Sequence, residues 1–174
     1  MYDNLRPLLA PQSIAVIGAS SDFTRIGGML IKYLLKFGYK GKLYAVNPKY
    51  KDIAGIRCYQ NVSELPDNID TALIAVSEKI TITSLSDCAA RGIKNAIIYT
   101  SGFAETGVEG NQKQNELRKI IEQNGLNICG PNCIGIINFI DNIAMSFTGF
   151  LESDRLVSGN VGFVSQSGAL GGSI

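Results

Sequence analysis

Short, unbroken apolar runs alternate along the chain with longer stretches whose apolar residues recur at helical spacing. "SIAVIG" (13–18) carries Ile14, Ala15, Val16 and Ile17 straight into Gly18, the pattern of a strand buried on both faces. "GGMLIKYLLKFG" (27–38) reads as a helix, with Gly38 placed to end it. "KLYAVNP" (42–48) is a second strand stopped by its proline. "TALIAV" (71–76) is a third, and Ser77 followed by Glu78 suits the start of a helix over 79–90. "NAIIYT" (95–100) and "LNICG" (126–130) predict the fourth and fifth strands. Between them "NQKQNELRKIIEQNG" (111–125) predicts a polar-faced helix, with Leu117, Ile120 and Ile121 turned inward and Gly125 closing it.

Strands alternating with helices predict an α/β fold: a parallel sheet covered by helices on both faces, with right-handed crossovers. Ligands of such sheets lie beyond the carboxyl ends of the strands, at the point where strand order reverses. The residues to inspect are therefore those after 17, 46, 76, 100 and 129.

Past "GIINFI" (135–140) the pattern changes to a polar, irregular connection through about residue 158. "GNVGFVSQSGALGGSI" (159–174) then repeats strand, small-residue turn and helix start. A lone strand and an unterminated helix cannot bury their own faces. Residues 1–147 are expected to form one domain, 148–158 a linker, and 159–174 the beginning of a second α/β domain belonging to a longer protein.

Composition narrows the chemistry. A length of 174 residues, 45% of them apolar and 18% charged, is that of a globular domain with perhaps the start of another. The net charge of +1 offers no broad footprint for nucleic acid or anionic lipid. With no apolar run long enough to span a bilayer and no signal-peptide pattern, the expected location is cytoplasmic. Cys58, Cys88, Cys129 and Cys133 lack the spacing of a zinc ribbon or a C-x-x-C motif, and they read as free thiols with no metal site. The count of histidines is 0, so no imidazole relay or phosphohistidine can be built from this sequence alone.

The first loop is the most informative. Between Gly18 and Gly27 lie eight residues, too many for the tight turn of a G-x-G-x-x-G dinucleotide fingerprint. Small Ala19, Ser20 and Ser21 let backbone amides and hydroxyls approach an anion, and Arg25 adds charge. Gly27 and Gly28 sit where the amides of a helix start favour phosphate, although an ordinary loop also uses serine turns. At the end of the second strand, where an NAD-binding protein carries an acidic residue, the chain reads Val46-Asn47-Pro48-Lys49. A lysine there attracts a ribose phosphate, as found in NADP and in coenzyme A; as a surface residue it would simply be solvated.

After the third strand, Val76 and Ser77 could flank an adenine or pantetheine arm, or cap the helix. After the fourth, Thr100, Ser101 and Gly102 offer hydroxyl and backbone partners, while Glu105 reads as solvated or capping. After the fifth, Pro131 fixes a turn and Asn132 points an amide to the same crevice. Cys133 could lie near a reacting thioester but has no histidine to activate it.

"IAVIGAS", "AVNPK", "TALIAV", "SGFAETG", "GPNCIGI" and "GNVGFVSQSGALG" occur here in the order in which similar segments occur in the nucleoside-diphosphate-forming acyl-CoA synthetases. That group includes ADP-forming acetate–CoA ligase, and its CoA-binding domain is similar to the succinyl-CoA synthetase α subunit. The resemblance runs from about residue 8 to the end. It implies a Rossmann-like CoA-binding domain followed by a flavodoxin-like one. It further implies that Gly18, Ser20, Ser21, Arg25 and Ile26 hold the CoA phosphates and pantetheine, and that Lys49 contacts the nucleotide. Tyr99, Thr100, Ser101 and Gly102 would line the CoA arm, with Asn132 near its thiol. Ser167 and Gly168 would begin a helix facing a phosphohistidine supplied from elsewhere. Ser77 departs from the family, which commonly has proline there.

The reaction implied converts acyl-CoA, phosphate and nucleoside diphosphate into acid, CoA and nucleoside triphosphate, through an acyl phosphate and a phosphohistidine. ATP or ADP and Mg would bind only domains outside this chain, on a partner domain or subunit with the ATP-grasp fold, and the chain alone would be inactive. A stand-alone CoA-binding module is the second reading. An NADP-dependent oxidoreductase is a third, disfavoured by the long first loop.

Overall fold

A computed structural model describes residues 4–171; residues 172–174, the last of the expected second-domain segment, lie outside them. β1 (Ser13–Ile17) is buried along its whole length, as its unbroken apolar run requires. Its side chains alternate: Ile14 and Val16 face one layer, Ala15 and Ile17 the other. After the short helix α1 (Arg6–Leu9) and β1 come α2 (Ile26–Lys36), β2 (Lys42–Val46), β3 (Asp52–Ile53), β4 (Ile56–Tyr59) and β5 (Thr71–Ile74). α3 (Glu78–Ala90), β6 (Asn95–Ile98), α4 (Val108–Asn124) and β7 (Asn127–Cys129) follow. The chain continues through β8 (Gly135–Asn138), β9 (Ile143–Ser146) and α5 (Gly168–Gly171).

The sheet runs β3-β4-β2-β1-β5-β6-β7. Its six parallel members, counted in chain order, give the order 3-2-1-4-5-6 of the doubly wound dinucleotide folds. Strand order therefore reverses between β1 and β5, and a crevice opens beyond their carboxyl ends. α2 covers one face with Leu30, Ile31 and Leu34; α3 and α4 cover the other with Leu85, Cys88 and Leu117. Gly38 (φ +70°) and Gly125 (φ +60°) stop α2 and α4 in the left-handed conformation that favours glycine.

Four features depart from the expectations of the sequence. β3 pairs antiparallel with β4, so the sheet is mixed. Both strands are too short to show a period of their own. The stretch after residue 140 is not wholly irregular: β9 pairs antiparallel with β8 and is fully buried, with Ile143 and Met145 packed on the α2 layer. The expected linker is docked at its start, where a 3₁₀ turn, Gly149–Glu152, buries Leu151 against Tyr33 and Ala144. Glu152 accepts from Lys32 Nζ and Tyr33 Oη at 2.7 Å each. Lys36 donates to the Leu151 and Glu152 carbonyls. The anticipated strand near Val161 to Val164 does not form; both valines are exposed, as expected of a segment with no sheet to join.

Leu151 is the apolar anchor of that strap, fully buried. Leu151→Ala should lower the unfolding free energy by about 2–4 kcal/mol in a urea titration. An unchanged midpoint would mean that the strap does not stay docked in solution.

Candidate functional site

The five strand ends meet in one continuous rim, held by backbone and side-chain bonds that can be followed from one end to the other. Gly18 (φ +85°) turns the chain at the end of β1; a Cβ there would collide with the Ala75 carbonyl oxygen and with Val76. A Cβ on Gly27 would in turn strike the Gly18 carbonyl. Glycine at both positions lets the start of α2 press onto the end of β1, the role small residues play in phosphate-binding turns.

The loop at 18–25 folds on itself. Ser20 Oγ accepts from the Asp22 amide at 3.0 Å, and Asp22 Oδ1 accepts from Thr24 N at 3.0 Å and Thr24 Oγ1 at 2.6 Å. Asp22 Oδ2 receives Arg25 Nε at 3.3 Å. Bonds from Thr24, then the Arg25 guanidinium, hold the Asp22 carboxyl below its usual range. Arg25 is thus turned toward its own loop, but with 77% of its side chain exposed that pairing is weak and exchangeable. Gly28 and Met29 donate to the Arg25 carbonyl. The amides of Ile26 and Gly27 precede the helical ladder and have no partner within it.

The turn after β2 is tied directly to this loop. Asn47 Nδ2 donates to the Ala19 carbonyl at 2.7 Å, while Asn47 Oδ1 accepts from the Lys49 amide at 2.9 Å. One side chain therefore fixes both the serine loop and the turn carrying Lys49. Lys49 is exposed and makes no ion pair among the described residues. Tyr50 stands beside Ser21 and Ser20, and their influence, with the nearby Lys49 charge, lowers its pKa. No spacing signal in the sequence marked it.

On the other side of the switch point, Thr100 Oγ1 donates to the Val76 carbonyl at 2.7 Å and accepts from Thr81 Oγ1 at 3.2 Å. The Asn132 amide donates to the Thr100 carbonyl at 2.9 Å, which brings the turn after β7 beside the end of β6. Asn132 itself is exposed. Ser77 occupies the N-cap position of α3, but its side chain makes no capping bond; its carbonyl takes the Ile80 and Thr81 amides instead.

Tyr99 and Gly102 differ in detail from the expectation. Tyr99 points away from the crevice: it is 4% exposed, donates to the Met145 carbonyl at 2.8 Å and stacks edge-on against Phe147, so only its backbone reaches the rim. Its alternation with Ile97 on the α2 face explains this. The Gly102 amide is already bonded to Glu105 Oε1 at 2.6 Å. Burial raises the Glu105 pKa, but that bond and neighbouring amides bring it below the ordinary value, which fits a capping carboxylate. Ser101 stays exposed beside it. Ser167 and Gly168 begin α5, where Ser167 Oγ accepts from the Leu170 amide and Gly168 approaches Ile134 beyond the turn after β7.

The strand ends together present amides, hydroxyls and two cations, Arg25 and Lys49. A cavity of about 480 Å³ lies under α4 beside β7, walled by Leu5, Leu8, Leu117, Ile121 and Leu126, edged by Arg118 and Glu122, and touching the turn after β7 through Gly130 and Pro131. Among the described residues no helix is long and apolar enough to cross a membrane.

Residues 12–138 match the model of the CoA binding domain family. The chain is 40% identical over 164 residues to the alpha subunit of ADP-forming acetate–CoA ligase II of Pyrococcus furiosus, covering 94% of this chain and 35% of that protein. It is 38% identical to a trans-feruloyl-CoA synthase of an unknown prokaryotic organism, covering 94% of this chain and 23% of that one. The dinucleotide-forming acetyl-coenzyme A synthetase 1 of Ca. Korarchaeum cryptofilum, solved with phosphate and ADP, superposes with a TM-score of 0.88 at 37% identity, over 98% of this chain and 35% of that one. The chain thus spans little more than a third of these relatives, or less.

If Asn47 holds the two loops together, Asn47→Ala should speed amide exchange at residues 19–22 and 49–50 and cost roughly 1 kcal/mol of stability. Unaltered exchange there would show that the loops stand without it.

Proposed function

The chain belongs to the CoA-binding domain family, and we propose that the rim of strand ends is its coenzyme A site. The observation that carries this reading is the continuity of the rim. One chain of contacts links Lys49, Asn47, Ala19, Gly18, Val76, Thr100 and Asn132. A nucleotide with a long arm needs such a row, with cations at one end and neutral polar groups along the rest.

Lys49, exposed and unpaired among the described residues, takes the ribose 3′-phosphate. The amides of Ile26 and Gly27, with Ser21, face the pyrophosphate. Arg25 exchanges its weak tie to Asp22 for that charge. Tyr50 closes over Ser20 and Ser21 and orders the loop. Val76, Ser77, Thr100 and Ser101 line the pantetheine arm. The Gly102 amide joins them only if Glu105 swings aside. The turn bearing Asn132 receives the thiol end.

In the fuller reading this chain is the CoA-binding portion of an NDP-forming acyl-CoA synthetase. It would hold CoA or acyl-CoA while other parts of the enzyme carry the phosphorylated histidine and, on an ATP-grasp domain or subunit, the nucleotide and Mg. Ser167 and Gly168 would then face the phosphoryl group. Identity to an acetate–CoA ligase subunit and to a trans-feruloyl-CoA synthase supports a domain that binds CoA and leaves acyl choice to the remainder.

Calorimetric titration with CoA, dephospho-CoA, NADP and NAD tests this. CoA should bind, and Lys49→Ala should weaken it roughly three- to tenfold with little change for dephospho-CoA. NADP binding without CoA binding would overturn the reading, and equal losses for both CoA forms would move Lys49 off the 3′-phosphate.

A further inference from the structure

The four thiols fall into two classes. Cys58 and Cys88 are buried, and burial pushes both pKa values up, Cys88 to about 12. Neither has a sulfur partner among the described contacts. Cys129 and Cys133 are only half-buried, and their sulfurs lie 3.9 Å apart, across the turn that carries Asn132. The turn is compact: a Cβ on Gly130 would come within 3.1 Å of Cys133 Sγ, and Cys133 also contacts the Ile98 and Cys129 carbonyls at 3.4 and 3.7 Å.

We propose that Cys129 and Cys133 form a dithiol site that exchanges with low-molecular-weight disulfides, Cys129 attacking and Cys133 resolving. In the first step the Cys129 thiolate attacks one sulfur of the disulfide RS–SR. The S–S bond breaks, one RS⁻ leaves and takes a proton, and a Cys129–SR mixed disulfide remains. In the second step Cys133, its proton passing to solvent, attacks Cys129 Sγ and expels the second RS⁻. The sum is RS–SR plus two cysteine thiols giving two RSH and a Cys129–Cys133 disulfide. The protein dithiol is oxidised and the small disulfide reduced.

The geometry assigns the order. A disulfide needs the sulfurs at about 2 Å, so they must close from 3.9 Å by roughly 2 Å. Cys133 is pinned by its two carbonyl contacts and is the poorer first attacker. The hydrogen bond between the two sulfurs lowers the Cys129 pKa and raises that of Cys133, so a thiolate forms more readily on Cys129. This absorbs the cysteine pair that CoA binding leaves unexplained, and it does not depend on that reading.

The test uses the whole chain, reduced and then exposed separately to glutathione disulfide and to CoA disulfide, with free thiols alkylated and peptides mapped by mass spectrometry. A bond between Cys129 and Cys133, with a loss of about 2 Da, and with Cys58 and Cys88 still alkylated, supports the proposal. Cys133→Ser should trap one RS group on Cys129, whereas Cys129→Ser should leave Cys133 unmodified over the same time. The wild-type rate should rise with pH as Cys129 ionises. Faster reaction with CoA disulfide than with glutathione disulfide would identify CoA disulfide as the favoured source. Alkylation of all four thiols after both exposures, or oxidation at Cys58 or Cys88 instead, would overturn the proposal in the wild-type chain, whether or not the variants fold.

Discussion

The approach of Gly18 to the end of β5 is the contact on which the rest of the site depends. A side chain at Gly18 would meet the Ala75 carbonyl and Val76, and one at Gly27 would meet Gly18. Because both are bare, the start of α2, the end of β1 and the end of β5 share one small volume at the point where strand order reverses. The crevice is a product of that packing. Overpacking it by one methyl would move the helix start whose amides face the crevice.

From that point the site spreads sideways through side chains that serve as ties. Asn47 joins the loop after β1 to the turn after β2, and Thr100 joins the ends of β5, β6 and β7. The result is a row of polar strand-end groups, in contrast to the mainly aliphatic walls of the cavity under α4. A long ligand with phosphates at one end fits such a row better than an enclosed pocket, because most of its polar surface can stay in contact with amides, hydroxyls and water. The loop's internal bonds, such as Arg25 to Asp22, are exposed enough to exchange for the charge of a ligand.

Much of the fold was legible in the sequence, for identifiable reasons. The unbroken apolar runs of β1, β5 and β6 and the terminal glycines Gly38 and Gly125 are local signals, and each sits where the pattern put it. β3, β4 and β9 were not legible: β3 has two residues, Arg57 interrupts the apolar run of β4, and β9 is recognised as a strand only through its pairing with β8. In the site, residue types told more than side-chain directions. Lys49 stands exposed as expected, but Tyr99 turns inward, a direction its alternation with Ile97 could have revealed. The occupation of the Gly102 amide by Glu105, and the contact of Tyr50 with the serines, depend on three-dimensional proximity that spacing does not encode.

The central claim is that coenzyme A lies along the strand-end rim. Hydrogen–deuterium exchange on the chain with and without CoA tests it most directly. Exchange should slow at residues 18–28, 47–50, 76–78 and 100–102, with the α4 segment around Leu117 and Ile121 unaffected. Protection confined to the cavity between α1, α4 and β7, with the rim unchanged, would contradict it.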